Sequence, residues 1–353
     1  MDQMTAPVET RPPSRRRGRR RLRRVFLASV AVVAVAVVGV KVVDVVMTYR
    51  ERAAHPAPGE LVEVDGHQMH VQRTGGGQTT VVLLPGLGTA SPVGDFEPLT
   101  RHLSTWATVV VVEPFGYGWS EATAGSMRPA QVARDVHGAL TAVGVEGPVV
   151  LMPHSVGALH VQAFADQYPG QVAAVVGIDP TMPRTEDFAP ALEDGVDPYA
   201  SPLPWFVEPL ARGGWLRVLQ GIMGSDPNLV TGGRAEHGYT QESLDRQSMI
   251  TNWSGVSRNV MAQAQGLADA IADTRDLRFA PDVPVLTFVA HGGDGLPAWQ
   301  EQVVADYGAG SSCADSVSVD AEHYVHHTHA ATLSRHTEEF LARCGVGKES
   351  GLG

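Results

Sequence analysis

The chain has 353 residues, 43% of them apolar and 18% charged, with a formal net charge of −11. This composition excludes a disordered or low-complexity chain and supplies core for two average domains, or for one α/β domain carrying an insertion. The charge is uneven: residues 1–24 carry nine arginines against Asp2 and Glu9, a net of +7 that leaves −18 on the remainder, and so acidic a body argues against nucleic acid as a partner.

Residues 1–24 read as a basic cytoplasmic tail, and residues 25–47 as a transmembrane signal anchor. Sixteen uncharged residues precede Lys41, and apolar character resumes around Asp44, so the stretch reaches the roughly twenty residues a bilayer demands if Lys41 snorkels. The arginines predict a cytoplasmic N-terminus with the bulk of the chain outside. Arg23-Arg24-Val25-Phe26-Leu27 also resembles a twin-arginine export signal. The apolar stretch exceeds a usual signal core, so an uncleaved anchor in the cell membrane is favoured over secretion after cleavage. Residues 48–58, polar and proline-bearing, read as a linker.

From residue 59 the pattern becomes that of a folded domain. Residues 61–64 and 68–71 alternate about Asp65-Gly66, a hairpin signal. Residues 81–84 form a buried strand ending in Pro85-Gly86-Leu87-Gly88, and residues 109–112 form the next. The segment Glu113-Pro114-Phe115-Gly116-Tyr117-Gly118-Trp119-Ser120 follows, then an amphipathic helix with Val132, Val136, Leu140 and Val143 at helical spacing. Residues 149–152 make an apolar run into Pro153-His154-Ser155-Val156-Gly157, where a helical pattern begins at once and stops at Tyr168-Pro169-Gly170. A further apolar run covers residues 173–178. Strand, sharp turn, helix and strand expose a serine hydroxyl above the sheet, with the first helical N–H groups aimed at the same place.

That segment resembles the nucleophile elbow of the α/β-hydrolase fold, usually G-x-S-x-G, with Pro153 in place of the first glycine. The words Leu-Met-Pro-His-Ser and Tyr-Pro-Gly-Gln-Val resemble a bacterial branch of that superfamily whose members are anchored or exported serine hydrolases. Residues 113–120 resemble the superfamily's structural D-x-x-G-x-G-x-S loop, with Glu113 for the aspartate. The resemblance implies a mostly parallel eight-stranded sheet with helices on both faces. It also implies an oxyanion hole from the N–H groups of Leu87 and Val156, with Pro85 departing from the usual His-Gly.

After Asp179-Pro180 no strand pattern recurs for about a hundred residues, too long for a loop. Residues 181–276 read as a helical cap after the sixth strand, with helical patches at 209–223 and 241–272. Residues 59–180 and 277–345 form the core, and residues 346–353 a disordered tail. Trp205, Phe206, Trp215 and Trp253 are the candidate lining of an apolar pocket, although cap aromatics mostly pack on one another. Residues 283–290 restore the sheet, residues 316–319 close it, and a last helix covers 330–343. Parallel topology places Cys313 and Cys344 at the edge opposite the catalytic loops, and a disulfide between them is expected in an exported chain.

The fold's order of nucleophile, acid and base is met by Ser155, Asp294 and His323, with Asp179 as the alternative acid. His323, His326, His327 and His329 are clustered, but the segment enters a helix without a clear third ligand, so no metal and no cofactor are expected. His154 is read as a structural neighbour of the nucleophile. The expected activity is hydrolysis of an ester of a small apolar substrate through an acyl-enzyme. Amide or peptide hydrolysis, and an inactive binding or scaffold role, are the alternatives.

Overall fold

In the computed structural model the described residues are 15–189, 209, 213–223, 235–293 and 295–347. The chain begins with α1 (Arg15–Ala54), whose apolar stretch is long enough to cross a membrane and is not buried in the protein. The helix runs seven residues into the segment expected as a linker, because Thr48, Glu51 and Arg52 find partners in the cap. Pro56 lies just beyond its end, where it cannot disturb the helical ladder.

The eight strands are β1 (Glu60–Val64), β2 (His67–Gly75), β3 (Thr80–Leu84), β4 (Thr108–Glu113), β5 (Val149–Pro153), β6 (Val172–Ile178), β7 (Val285–His291) and β8 (Ala314–Asp320). They form one sheet in the order β1-β2-β4-β3-β5-β6-β7-β8, antiparallel at the first two pairings and parallel thereafter. Asp65 and Gly66 both take left-handed backbone (φ +50° and +78°), the geometry that lets a two-residue turn follow the strand twist. β4 is buried along its whole length, as a central strand covered on both faces must be.

Helices α2 (Pro92–Asp95), α3 (Glu97–Leu103), α4 (Pro129–Ala142) and α5 (Gly157–Gln167) lie between β3 and β6. The cap contributes α6 (Thr185–Phe188), α7 (Trp215–Met223), α8 (Gln241–Ser254), α9 (Arg258–Gln265) and α10 (Leu267–Thr274). α11 (Ala298–Gly308), α12 (Val325–Thr328) and α13 (Ala330–Arg343) complete the chain. One face of the sheet buries Val132, Val136 and Leu140 of α4 with Val161 and Phe164 of α5. The other buries Leu99 and Leu103 of α3 with Leu333 and Phe340 of α13. The helical patch expected over 241–272 consists of three helices. Gly255 ends the first, the Ser257 hydroxyl caps the second on Val260 N–H at 3.2 Å, and Gly266 separates the third. Cys313, just before β8, and Cys344, just after α13, are joined in a disulfide with their Cα atoms 6.2 Å apart.

Glu113 closes β4 and fastens the loop that follows. Its fully buried carboxylate accepts the N–H of Trp119 at 2.7 Å, the N–H of Val93 at 3.2 Å and Nδ1–H of His70 at 2.9 Å. Gly118 (φ +49°) has no room for a side chain, since a Cβ would fall 1.8 Å from a Glu113 oxygen. Removing the carboxylate strands three buried donors. Glu113→Ala is expected to lower unfolding free energy by about 3–5 kcal/mol, read from the urea midpoint at constant m-value.

Candidate active site

The turn between β5 and α5 is built by close approach. Ser155 sits in left-handed backbone (φ +51°), its N–H on Ile178 C=O at 3.1 Å and its C=O taken by Thr181 N–H at 3.0 Å. Holding a non-glycine residue there costs about 1–3 kcal/mol and persists only because neighbours enforce it. The enforcing neighbours include the loop after β3. A Cβ on Gly86 would lie 2.7 Å from His154 Nδ1 and 3.0 Å from Ser155 Cβ, and one on Gly157 would lie 2.8 Å from Pro85 C=O. Pro153 ends β5 in register with Leu84, so proline is accommodated where the motif usually has glycine. The side chain of Leu87 packs with Val156, Leu159 and the α10 residues Leu267, Ala270 and Ile271. Among the described residues, no backbone carbonyl engages the N–H of Leu87 or of Val156.

His323, in the loop after β8, lies against this turn. The Ser155 hydroxyl donates to its Nε2 at 2.9 Å, and its Nδ1–H donates to Asp179 Oδ2 at 2.5 Å. Asp179 Oδ1 accepts the N–H of Ala290 at 3.0 Å, so both carboxylate oxygens are fixed. Asp179 also has left-handed backbone (φ +41°), its N–H held by Phe288 C=O at 2.8 Å. Among the described residues the carboxylate on the imidazole is Asp179 at the β6 end, the alternative acid of the sequence analysis. Asp294 lies outside the described residues, as do Trp205 and Phe206. The other two expected pocket aromatics stand on the side of α1. Trp215 opens α7, which packs on α1, and Trp253 donates its indole N–H to Gly118 C=O at 3.0 Å beneath the Arg52 guanidinium.

A buried imidazole array supports His323 from below, and nothing in the sequence pattern announced its wiring. His154 donates Nε2–H to the His323 carbonyl at 3.2 Å and lies ring against ring with both His323 and His326, at centroid distances of 4.7 and 4.8 Å. Burial holds the His154 imidazole well below its ordinary range and the adjacent imidazoles add to this, so it is neutral. His326 and His327 each donate Nε2–H to a different oxygen of Asp95 at 2.7 Å. Burial alone would raise the Asp95 carboxyl, but the two imidazole donors outweigh it and keep it ionised. The three groups are close enough to ligate a metal ion, and each Nε2 lies within hydrogen-bond distance of one carboxylate oxygen. Asp95 on α2 is thereby tied to α12, immediately beyond the loop that carries His323.

The fold and this arrangement can be compared with known proteins. A family profile described as alpha/beta hydrolase fold matches residues 79–214. The uncharacterized protein YbdG of Bacillus subtilis (strain 168) is 31% identical over 135 residues, 38% of this chain; the chain spans only 42% of that relative's length. Among solved structures, Cfl2 from Burkholderia cenocepacia superposes with a TM-score of 0.60 at 18% identity, over 80% of this chain and 94% of that one. A thermophilic esterase from Thermogutta terrifontis superposes with a TM-score of 0.56 at 19% identity, over 80% of this chain and 97% of that one. At such identities the structures establish the fold, and the chain has the α/β-hydrolase fold.

Two measurements test the electrostatics and strain of this site. At φ +51° glycine is favoured over alanine, so Ser155→Gly should be more stable than Ser155→Ala by about 1 kcal/mol in urea unfolding. That reverses the order seen in ordinary helix or strand backbone. Burial also lowers the His160 imidazole, on α5, from 6.5 to about 4. Its folded value lies below its unfolded one, so the unfolded chain takes up the proton first, and stability present above pH 6.5 is lost as pH falls towards 4. His160 alone should remove about 2–3 kcal/mol of unfolding free energy between pH 7.5 and 4.5, and His160→Gln should flatten that part of the profile.

Proposed function

We propose that the protein is a serine hydrolase of ester bonds, anchored in the cell membrane by α1 with its catalytic domain on the extracytoplasmic side. The observation that carries this reading is the continuous hydrogen-bonded line from the Ser155 hydroxyl through His323 to Asp179. A serine hydroxyl near neutral pH is a weak nucleophile until a base takes its proton, and the base works in one orientation only when its second nitrogen is held. In this reading His323 accepts the Ser155 proton as Oγ bonds to the acyl carbon, and returns it to the departing alcohol. A water then gives its proton to His323 and attacks the acyl-enzyme, releasing the acid and restoring Ser155. The N–H groups of Leu87 and Val156 are the candidates to hold the oxyanion, which such donors stabilise most where water is excluded.

The apolar cluster of Leu87, Val156, Leu159 and α10 beside the nucleophile supports a substrate with an apolar acyl or alcohol group. A hydroxyl at the elbow supports acyl transfer over epoxide or haloalkane opening, for which related families place a carboxylate there. The Cys313–Cys344 disulfide supports an oxidising compartment. The unburied apolar face of α1 and the arginines before it support a single-pass anchor with a cytoplasmic N-terminus.

A fluorophosphonate probe is expected to label the folded wild type and not Ser155→Ala. An unlabelled wild type would instead favour a hydrolase fold retained for binding. Asp179→Ala is expected to lower kcat on a p-nitrophenyl ester by roughly 10³–10⁴-fold with little change in KM, whereas Asp294→Ala should leave kcat within a few-fold. The reverse outcome would return the acid's role to Asp294.

A further inference from the structure

The cap and the anchor meet at one height. Arg217 of α7 is sunk between the two helices, with only 12% of its side chain exposed. Its guanidinium reaches Thr48 Oγ1 at 3.0 Å, Glu51 Oε2 at 2.9 Å and Asp44 Oδ1 at 3.3 Å, all on α1. At Gly214, just before α7, a Cβ would fall 2.6 Å from the Asp44 side chain, so the approach of the two elements is as close as backbone allows. At 1.5 Å per residue, Val25 and Asp44 stand about 29 Å apart along α1. A bilayer's hydrocarbon core is about 30 Å thick. With Arg21, Arg23 and Arg24 at the cytoplasmic boundary, Asp44 comes out at the other one.

α7 itself, with the sequence WLRVLQGIM, has one charged residue, and that residue is turned to the anchor. On another side, Leu219 is 51% and Ile222 78% exposed. Of the three exposed large hydrophobics among the described residues beyond α1, these are two, the third being Leu61 of β1. They are spaced i, i+3 and so share a face. The helix that carries this face starts beside Asp44 and is tied by Arg217 to Thr48 and Glu51, next to the exposed Val42, Val45 and Val46 of α1. Two large apolar side chains directed at water beside a membrane exit have a nearer solvent available.

We infer that α7 rests on the outer leaflet, with Leu219 and Ile222 inserted among the acyl chains at the headgroup boundary. The inference rests on the reading of α1 as a membrane span. The Arg217 contacts fix the depth, and the apolar face of α7 supplies the insertion. The cap is thereby held against the lipid surface, and apolar esters dissolved in that leaflet become the pool closest to it.

The test uses the full-length chain in phospholipid nanodiscs, with a bimane label at Leu219→Cys or Ile222→Cys; the native cysteines are bonded and do not react. Both sites are exposed, so labelling does not disturb the core. A label about 5–10 Å below the headgroup boundary should lose about half its emission to phospholipids carrying a nitroxide near the top of the acyl chain, and resist aqueous iodide. A label at Val33→Cys, within the span, should be quenched by nitroxides deep in the chain, and one at Glu338→Cys, on α13, by iodide alone. Arg217→Gln should shift the Ile222 label from lipid to iodide quenching. If Val33 responds to lipid while Leu219 and Ile222 behave like Glu338, the lipid-resting α7 is overturned and the anchor stands. If Val33 does not respond to lipid, the anchor fails and the inference falls with it.

Discussion

Everything at the candidate site depends on one piece of steric confinement: a serine kept in left-handed backbone by the loop after β3. Neither element could hold that geometry alone. Gly86 admits the Ser155 and His154 side chains because it has none, and Gly157 lets the first turn of α5 sit on the carbonyls of Leu84 and Pro85. The strain at Ser155 and the close approach at Gly86 and Gly157 are thus a single feature of two chain segments pressed together.

Confinement extends outward through hydrogen bonds instead of bulk. Asp179 repeats the left-handed backbone at the end of the neighbouring strand and is clamped from β7, so the carboxylate has no freedom to turn away from His323. Beneath it, the ionised Asp95 ties α2 to α12 through two imidazoles, and His154 holds the His323 carbonyl. A charge buried that deeply is tolerable only when both oxygens are satisfied, and here each has its own donor. The buried Glu113, at the end of β4, follows the same rule.

Much of this could be read from residues alone, for identifiable reasons. The strands announce themselves as short apolar runs, and the elbow as a serine between a strand and a helix. His323 stands just past the last strand, where topology brings it to the nucleophile. The acid could not be chosen that way, because Asp179 and Asp294 both follow strands that end at the same edge of the sheet. The Ala290 N–H that fixes Asp179 is a contact across 111 residues, and such a contact leaves no trace in local pattern. The overlong α1 and the broken cap helices share that cause. Arg217 keeps residues 48–54 helical from far away, while Gly255, Ser257 and Gly266 act through caps that apolar periodicity overlooks.

The disulfide has a bearing on the imidazole that neither cysteine touches. Cys313 and Cys344 are 31 positions apart, and His323 lies between them, so this imidazole rides on a closed covalent loop. Terminal helices fray first, and a fraying end would ordinarily carry off whatever precedes it. Here α13 can loosen only as far as the crosslink allows, and the helix's last turns are uncoupled from the position of His323. A nascent chain with both thiols still reduced has no such closure, so this restraint on His323 arrives only with oxidation of the pair.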